Sequence, residues 1–191
     1  MTQLAIESQI RQSSETIHSL AKQRDKIEEI VSILHRTSSQ GGCIYSCGNG
    51  GSTADAIHLT EELVARYLRE RPGIRAQHLC DPAVLTCWAN DYDFESVFER
   101  QVKTHLTPKD ALIAFTTSGK SKNVLRALEA ANAIGAATIG LLGKDGGKAK
   151  TLAKTTLIVE SDNTARIQEA HMTLVHIICD ELERRLFPDA K

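Results

Sequence analysis

The sequence predicts an α/β fold, in which helices cover both faces of a five-stranded parallel sheet to give three layers. From Gly41 onward, short apolar runs alternate with helical stretches, which is the pattern of βαβ units. Two of these apolar runs end in turns rich in glycine, serine and threonine, residues that begin helices. Before Gly41, two amphipathic stretches predict a helical hairpin ahead of the α/β core.

The N-terminal hairpin is predicted over residues 3 to 21 and 25 to 37. Apolar residues recur at helical spacing in both stretches, with Ile10 and Ile17 on one stripe and Ile30 and Leu34 on the other. Neither stretch carries obvious chemistry. Because a hairpin ahead of an α/β core needs a surface to cover its apolar stripe, we expect it to hold subunits together in an oligomer.

The elements of the core follow in chain order. Strands are predicted at Cys43 to Ser46, Ala76 to Cys80, Ala111 to Thr116, Thr138 to Leu142 and Thr156 to Val159. Helices are predicted at about 52 to 69, 94 to 105, 121 to 134 and 148 to 153, with a long final helix from about 165 to 186. Ligands bind such sheets beyond the carboxyl ends of the strands, so we expect the functional residues there.

Length and composition fit one domain over residues 1–191, with the hairpin in 1–39 and the core in 40–191. The 191 residues are 41% hydrophobic, and no Ser/Gly/Pro-rich linker divides them. A formal net charge of −1 argues against a nucleic-acid surface built on bulk charge. With neither a signal peptide nor an apolar run of about 18 residues, we expect a cytoplasmic protein without a membrane partner. Five scattered cysteines fit buried thiols better than a disulfide framework.

The glycine-rich loop after the first strand is the first candidate site. Glycines in residues 48–51 let the backbone adopt positive φ and approach a ligand closely, and Ser52 is a good N-cap for the next helix. The free N–H groups at the start of that helix suit an anion, most simply phosphate. Farther along the same helix, His58 and Glu62 are spaced i, i+4, so they share one face. Such a pair binds a metal ion, shares a proton or is a plain surface pair.

A second loop, rich in hydroxyl groups, follows the third strand. Residues 116–121 read Thr-Thr-Ser-Gly-Lys-Ser, and four hydroxyls exceed what capping the next helix requires. Together with free helix N–H groups they form a cradle for a phosphate. Lys120 either adds charge to this loop or points to solvent. We expect a phosphate site here.

Other polar positions remain open from the residues alone. Asn90-Asp91, after the second strand, is typical of an ordinary turn or helix cap. In the final helix, Gln168 and His176 lie off the apolar stripe that packs on the sheet. A single helical histidine is more often a surface or core residue than a catalytic one.

Taken together, these motifs resemble the phosphoheptose isomerases, which have the sugar isomerase (SIS) fold. The resemblance covers nearly the whole chain in the same order, including the N-terminal helices. The matching segments are Cys47-Gly-Asn-Gly-Gly-Ser52, Asp55-Ala-Ile-His58, Glu61-Glu62-Leu, Arg66-Tyr67, Asn90-Asp91, Thr117-Ser118-Gly119-x-Ser121, Leu142-Gly-Lys-Asp-Gly-Gly147 and Arg166-Ile-Gln168-Glu169-x-His171. Lys120 departs from the pattern, where the family is expected to have a small or uncharged residue.

The resemblance implies an enzyme that interconverts sedoheptulose 7-phosphate and D-glycero-D-manno-heptose 7-phosphate. This is the first step of nucleotide-activated heptose synthesis, for lipopolysaccharide or another glycoconjugate. It also implies a homotetramer with a zinc ion in each active site, and active sites that lie between subunits. Carried over by position, it assigns catalysis to Glu62 and His176. It assigns zinc binding to His58, Glu62, Gln168 and His176. It assigns substrate binding to Asn49, Gly50, Gly51, Ser52, Glu62, Arg66, Asn90, Asp91, Thr116, Thr117, Ser118, Ser121 and Gln168.

From this resemblance we expect an aldose–ketose proton shuttle with Glu62 as the base and His176 acting on the substrate oxygens. The loop 116–121 would hold the phosphate, and the glycine loop would line the sugar. Gln168 and His176 are eight residues apart, which is about 12 Å along one helix. Because one straight helix can barely bring both to one ion, we expect either an irregular start near Gln168 or a site assembled across the oligomer.

Two other classes share this fold. One family member has lost catalysis and binds the bacterial replication initiator, and its C-terminal Leu-Phe-Pro resembles residues 186–188 here. That protein lacks counterparts of Glu62 and His176, so the presence of both favours the enzyme. Phosphosugar-sensing regulators with this fold usually carry a helix-turn-helix domain, for which this chain has no room.

Overall fold

The computed structural model describes residues 2–190, so Met1 and Lys191, the ends of the expected domain, lie outside it. Its parallel sheet has the strand order β2-β1-β3-β4-β5. The strands are β1 (Ile44–Gly48), β2 (Ala76–His78), β3 (Ala111–Thr116), β4 (Ala137–Gly143) and β5 (Thr155–Val159). The helices are α1 (Thr2–Ser19), α2 (Arg24–Ser39), α3 (Gly51–Val64), α4 (Pro82–Asp91), α5 (Val97–His105), α6 (Lys122–Ile134), α7 (Ala149–Leu152) and α8 (Thr164–Leu186).

The predicted three-layer α/β fold is confirmed. Helices α2, α3 and α8 pack on one face of the sheet, and α5 and α6 pack together on the other side of the molecule. The central strand β3 is buried along its whole length, because helices cover both of its faces. Four of the five cysteines are buried, and all of them are free thiols, as expected. Among the described residues, no helix has the length and hydropathy needed to span a bilayer.

The strand order reverses between β1 and β3. β1 pairs in parallel with β2 on one side and with β3 on the other. The chain leaves β1 into α3 and leaves β3 into α6, and these helices lie on opposite sides of the sheet. A crevice forms at such a switch point, where ligands bind in open α/β sheets. The glycine loop and the hydroxyl loop therefore meet at the place where the fold favours a site.

The two predicted N-terminal helices are present, but they do not form a hairpin. A short 3₁₀ turn, Leu20–Gln23, joins α1 to α2, and both helices pack against α8 rather than against each other. The Arg166 guanidinium donates to the Gln9 carbonyl near one end of α8, and Arg185 pairs with Glu28 near the other. The apolar stripes of α1 and α2 thus pack one after the other along α8. Each of these two helices contacts α8 more extensively than it contacts the other.

Helix α4 was not predicted from the sequence, which indicated only an apolar run before a turn. Asp81 caps the helix by accepting from the Val84 N–H at 2.9 Å, and Pro82 occupies its first turn. None of its residues is buried. Asn90 and Asp91 form its last turn, and this places them on the molecular surface.

Candidate active site

The glycine loop brings the start of α3 against α8. A Cβ at Gly51 would lie 2.4 Å from the Gln168 amide nitrogen, so any other residue there would displace the Gln168 amide from this position. The preceding residue, Gly50, has a φ of 58°. Gln168 therefore lies over the first turn of α3, beside the loop that was predicted to line the substrate.

An amide pair ties this loop to the other side of the crevice. Asn49 donates to the Asn123 side-chain oxygen at 2.8 Å, and Asn123 donates back at 2.9 Å. Asn123 lies in the first turn of α6 and is buried. Sequence reasoning missed it, because an asparagine just after a cap looks like ordinary helix chemistry. The pair fixes the spacing between the glycine loop and the helix that follows the hydroxyl loop.

The hydroxyl loop is a tight turn at the N-terminus of α6. Thr116 Oγ1 accepts from the Gly119 N–H at 3.1 Å, and Gly119 has a φ of 63°. Ser121 is the N-cap residue, yet its side chain makes no capping hydrogen bond, so that hydroxyl is available to a ligand. The Lys120 ammonium lies 3.9 Å from Asp145, and both side chains are largely exposed. The loop thus has the free donors that the predicted phosphate site needs.

Three side chains from α3 and α8 converge at the predicted catalytic pair. His58, Glu62 and His176 each offer a ligand atom within 4.8 Å of the others. His58 Nε2 lies 3.1 Å from His176 Nε2 and 3.3 Å from Glu62 Oε1. The two imidazole rings meet edge to face, with centroids 5.2 Å apart. Behind them, His58 Nδ1 is 3.4 Å from the Glu61 carboxylate, which orients the ring.

This donor set fits a metal ion. Two imidazole nitrogens and one carboxylate oxygen are ligands of zinc, and ligand atoms about 2.0 to 2.2 Å from a tetrahedral zinc ion lie about 3.3 Å apart. The separations of 3.1 Å and 3.3 Å from His58 Nε2 to His176 and Glu62 are close to that spacing. Without an ion, one of the two imidazole nitrogens 3.1 Å apart must carry a hydrogen and donate it to the other, because two lone pairs would repel each other.

Gln168 does not join the cluster through an irregular helix start. Helix α8 is regular from Thr164, with Asn163 accepting from the Ala165 N–H at 3.0 Å. Gln168 lies against Gly51, about two helical turns from His176. Glu62 and His176 meet within one chain. The expectation that the Gln168 and His176 of one site come from different subunits stays a prediction. The assignment of Gln168 to the metal stays a prediction.

The remaining predicted substrate residues lie at three places on the chain. Ser52 is buried in the first turn of α3. Asn90 donates to the Asp91 carboxylate at 2.8 Å on the exposed end of α4. Nearby Glu95 accepts from Lys122 at 2.7 Å, so this segment borders the start of α6. Arg66 was predicted within a helix but lies beyond its end, exposed and 4.0 Å from Glu70.

Two buried titratable groups flank these features. Burial raises the pKa of Asp55 to about 7, and one of its oxygens has no hydrogen-bond partner. Burial also lowers the pKa of His171 to about 4, and this ring contacts the Leu142 carbonyl at 3.2 Å. His171 is fully buried.

Comparison with known proteins identifies the family. The SIS domain profile matches residues 9–143. A phosphoheptose isomerase of Geotalea daltonii is 42% identical over 188 residues, covering 97% of this chain and 98% of that protein. One from Helicobacter pylori is 47% identical over 167 residues, covering 87% of each chain. A solved phosphoheptose isomerase structure from Francisella tularensis matches with a TM-score of 0.92 and 32% identity, covering 96% of this chain and 99% of the other. The chain therefore belongs to the phosphoheptose isomerases of the SIS domain family.

Proposed function

We propose that this chain interconverts sedoheptulose 7-phosphate and D-glycero-D-manno-heptose 7-phosphate, the first step in making nucleotide-activated heptose. The observation that carries the proposal is the convergence of His58, Glu62 and His176 from α3 and α8, two helices that also meet at the glycine loop through Gly51 and Gln168. The chain is similar to phosphoheptose isomerases over most of their length. Acid/base side chains and phosphate cradles are what such a reaction requires.

The reaction moves one proton between neighbouring carbons. Glu62 takes the proton from the carbon beside the carbonyl, an enediol forms, and the same carboxyl returns the proton to the adjacent carbon. His176 passes a proton between the two oxygens, so that one gains it as the other loses it. The Glu62 side chain is 14% exposed, so a ligand can reach it although it is partly shielded from water.

The metal in this proposal is zinc, held by His58, Glu62 and His176, with Gln168 as the predicted fourth ligand. The two imidazoles and the carboxylate suit it in type and in spacing. Zinc would polarise the substrate oxygens as a Lewis acid. Imidazole nitrogens must be unprotonated to bind it, so metal affinity is expected to fall in acid.

The phosphate is assigned to the loop 116–121 and the sugar to the glycine loop. The hydroxyl loop supplies Ser118 and Ser121 together with the N-terminus of α6. The Asn49–Asn123 pair holds the two loops at a fixed spacing, which suits an extended sugar with its phosphate at one end.

The active form is proposed to be a homotetramer. Ile6 and Ile10 of α1 are 59% and 65% exposed, and they line a groove against α8. The exposed apolar residues of α1, beside the catalytic helix α8, are well suited to pack against the same surface of a second copy of the chain. The exposure of Arg66, Asn90 and Asp91 fits a crevice that a neighbouring subunit completes.

The test is a metal analysis of the purified protein, followed by an assay on sedoheptulose 7-phosphate with and without a chelator. We expect bound zinc, turnover, loss of turnover on chelation and recovery when zinc is returned. Absence of turnover by the metal-loaded protein, together with tight binding to the bacterial replication initiator, would instead support the non-catalytic class.

A further inference from the structure

Tyr67 covers the face of the proposed catalytic histidine. Its ring stacks on His176 with centroids 5.6 Å apart and planes 16° from parallel. His58 meets the same imidazole at Nε2. His176 therefore has an aromatic wall on its face and a polar partner at its reacting edge.

The backbone that carries Tyr67 is anchored to the same helix as His176. Helix α3 ends at Val64, and the chain then runs irregularly past α8. The Tyr67 and Leu68 N–H groups donate to the Glu183 carboxylate at 2.9 and 3.0 Å. Glu183 is fully buried and lies two helical turns beyond His176 on α8. One helix thus fixes both the imidazole and the backbone of the ring that covers it.

A buried arginine connects this anchor to the helix of Glu62. Arg71 Nε donates to Glu183 at 2.9 Å, and both side chains are fully buried. The other guanidinium nitrogens donate to the Glu62 and Leu63 carbonyls, each at 2.8 Å. These carbonyls belong to the last turn of α3, and the Leu63 carbonyl also accepts from the Ile74 N–H at 2.9 Å. The ion pair therefore connects the end of the helix that bears Glu62 with the helix that bears His176.

The hydrogen bonds of Glu183 tie the segment that carries Tyr67 to α8. Replacing a buried ion pair by apolar residues is often neutral or stabilising, so its presence needs a reason other than stability. Here its hydrogen bonds converge on the segment that places one ring over His176. Catalytic groups need supporting side chains that hold them near the productive geometry.

We propose that Tyr67 is a positioning residue whose ring holds the His176 imidazole with Nε2 facing His58 and Glu62. The proposal rests on the proposed isomerase activity for its kinetic consequences, and on the proposed zinc site alone for its effect on metal binding. The phenol hydroxyl has no role in it. The flat ring is what restricts rotation of the imidazole, so phenylalanine should replace tyrosine and leucine should not.

The experiment compares Tyr67→Phe and Tyr67→Leu with the wild type. Zinc dissociation constants are measured on the metal-free proteins by competition with a chelator, and kcat and KM are measured on sedoheptulose 7-phosphate. Loss of the stack in the leucine variant is expected to weaken zinc binding and to lower kcat by about three- to tenfold each. KM should stay near the wild-type value, because the phosphate loop is untouched. The phenylalanine variant should behave like the wild type.

The matched control is Tyr45→Leu. Tyr45 stacks on His105 with planes 13° apart, near the start of β1 and away from the cluster. This substitution removes a comparable Tyr–His stack, so it should lower stability while zinc affinity and kcat stay unchanged.

The proposal is overturned if the Tyr67 leucine variant binds zinc and turns over like the wild type. It is also overturned if the phenylalanine variant fails equally, since the hydroxyl would then matter, or if the Tyr45 control loses the same zinc affinity. A wild-type protein without isomerase activity would refute the proposed function alone, because the zinc measurement would still report whether Tyr67 orients His176.

Discussion

Replacing Glu183 by glutamine should destabilise the fold far more than loss of an exposed carboxylate. The two Glu183 oxygens accept from the N–H groups of Tyr67, Leu68 and Arg69 and from Arg71 Nε, at 2.9 to 3.1 Å. Glutamine keeps the size of the side chain but turns one acceptor into a donor. It also leaves the Arg71 charge buried without its partner.

The expected loss is about 3 to 5 kcal/mol, which is typical when one partner of a buried ion pair is removed. The matched control is Glu129→Gln. Glu129 pairs with Lys148 at 3.3 Å, but their side chains are 47% and 62% exposed. Water solvates this pair in both states, so its loss should cost about 0 to 1 kcal/mol.

The loss should also depend on pH. Burial by itself raises the pKa of Glu183, but the N–H groups of residues 67–69 and the Arg71 guanidinium lower it overall. A carboxylate whose pKa is lower in the folded state adds stability above its unfolded pKa, and this stability is lost as the pH falls through the folded pKa. The wild type should therefore approach the glutamine variant in acid.

Urea unfolding followed by circular dichroism measures these free energies at neutral pH and in acid. A loss below about 1 kcal/mol at neutral pH, equal to that of the Glu129 control, would refute the reasoning. So would a gap between the wild type and the Glu183 variant that stays constant into acid.

Three further predictions concern the crevice and the core. Ser118→Ala and Ser121→Ala should each cost about 1 to 2 kcal/mol of binding, seen as a raised KM for the sugar phosphate with kcat nearly unchanged. Because burial lowers the pKa of His171 to about 4, the contribution of His171 to the free energy of unfolding should decrease between about pH 6.5 and pH 4. In urea titrations, the free energy of unfolding of the wild type relative to that of His171→Leu should therefore fall over this range. Exchanging subunits between Glu62→Gln and His176→Gln proteins should restore no activity, and any recovery would show that the pair is shared between chains.

Much of the fold was predictable because strands that are buried on both faces of a parallel sheet appear in the sequence as continuous apolar runs. Strand β3 is bounded by Ala111 and Thr116, as predicted, since its apolar run ends at polar turns. Helix α4 was missed because none of its residues is buried and its apolar residues give no clear helical stripe. The predicted extension of α3 to residue 69 was wrong because Arg71 and Glu183, distant in sequence, hold the following segment out of the helix.

The predictable part of the site is the part formed by residues that are close together in the sequence. The i, i+4 spacing of His58 and Glu62 follows from helix geometry alone. Placing His176 beside them needs the packing of α8 on α3, which spans more than a hundred residues of sequence. Tyr67 and its anchor Glu183 could not be found locally for the same reason, because their partners are set by tertiary structure.

The central claim is that Glu62 moves the proton between substrate carbons. Its most direct test is the steady-state rate on sedoheptulose 7-phosphate for the zinc-loaded wild type and the zinc-loaded Glu62→Gln variant. The account predicts heptose 7-phosphate formation by the wild type, and a kcat lower by about a hundredfold or more in the variant, with sugar phosphate still bound. A variant that binds the sugar phosphate and turns over at the wild-type rate would contradict it.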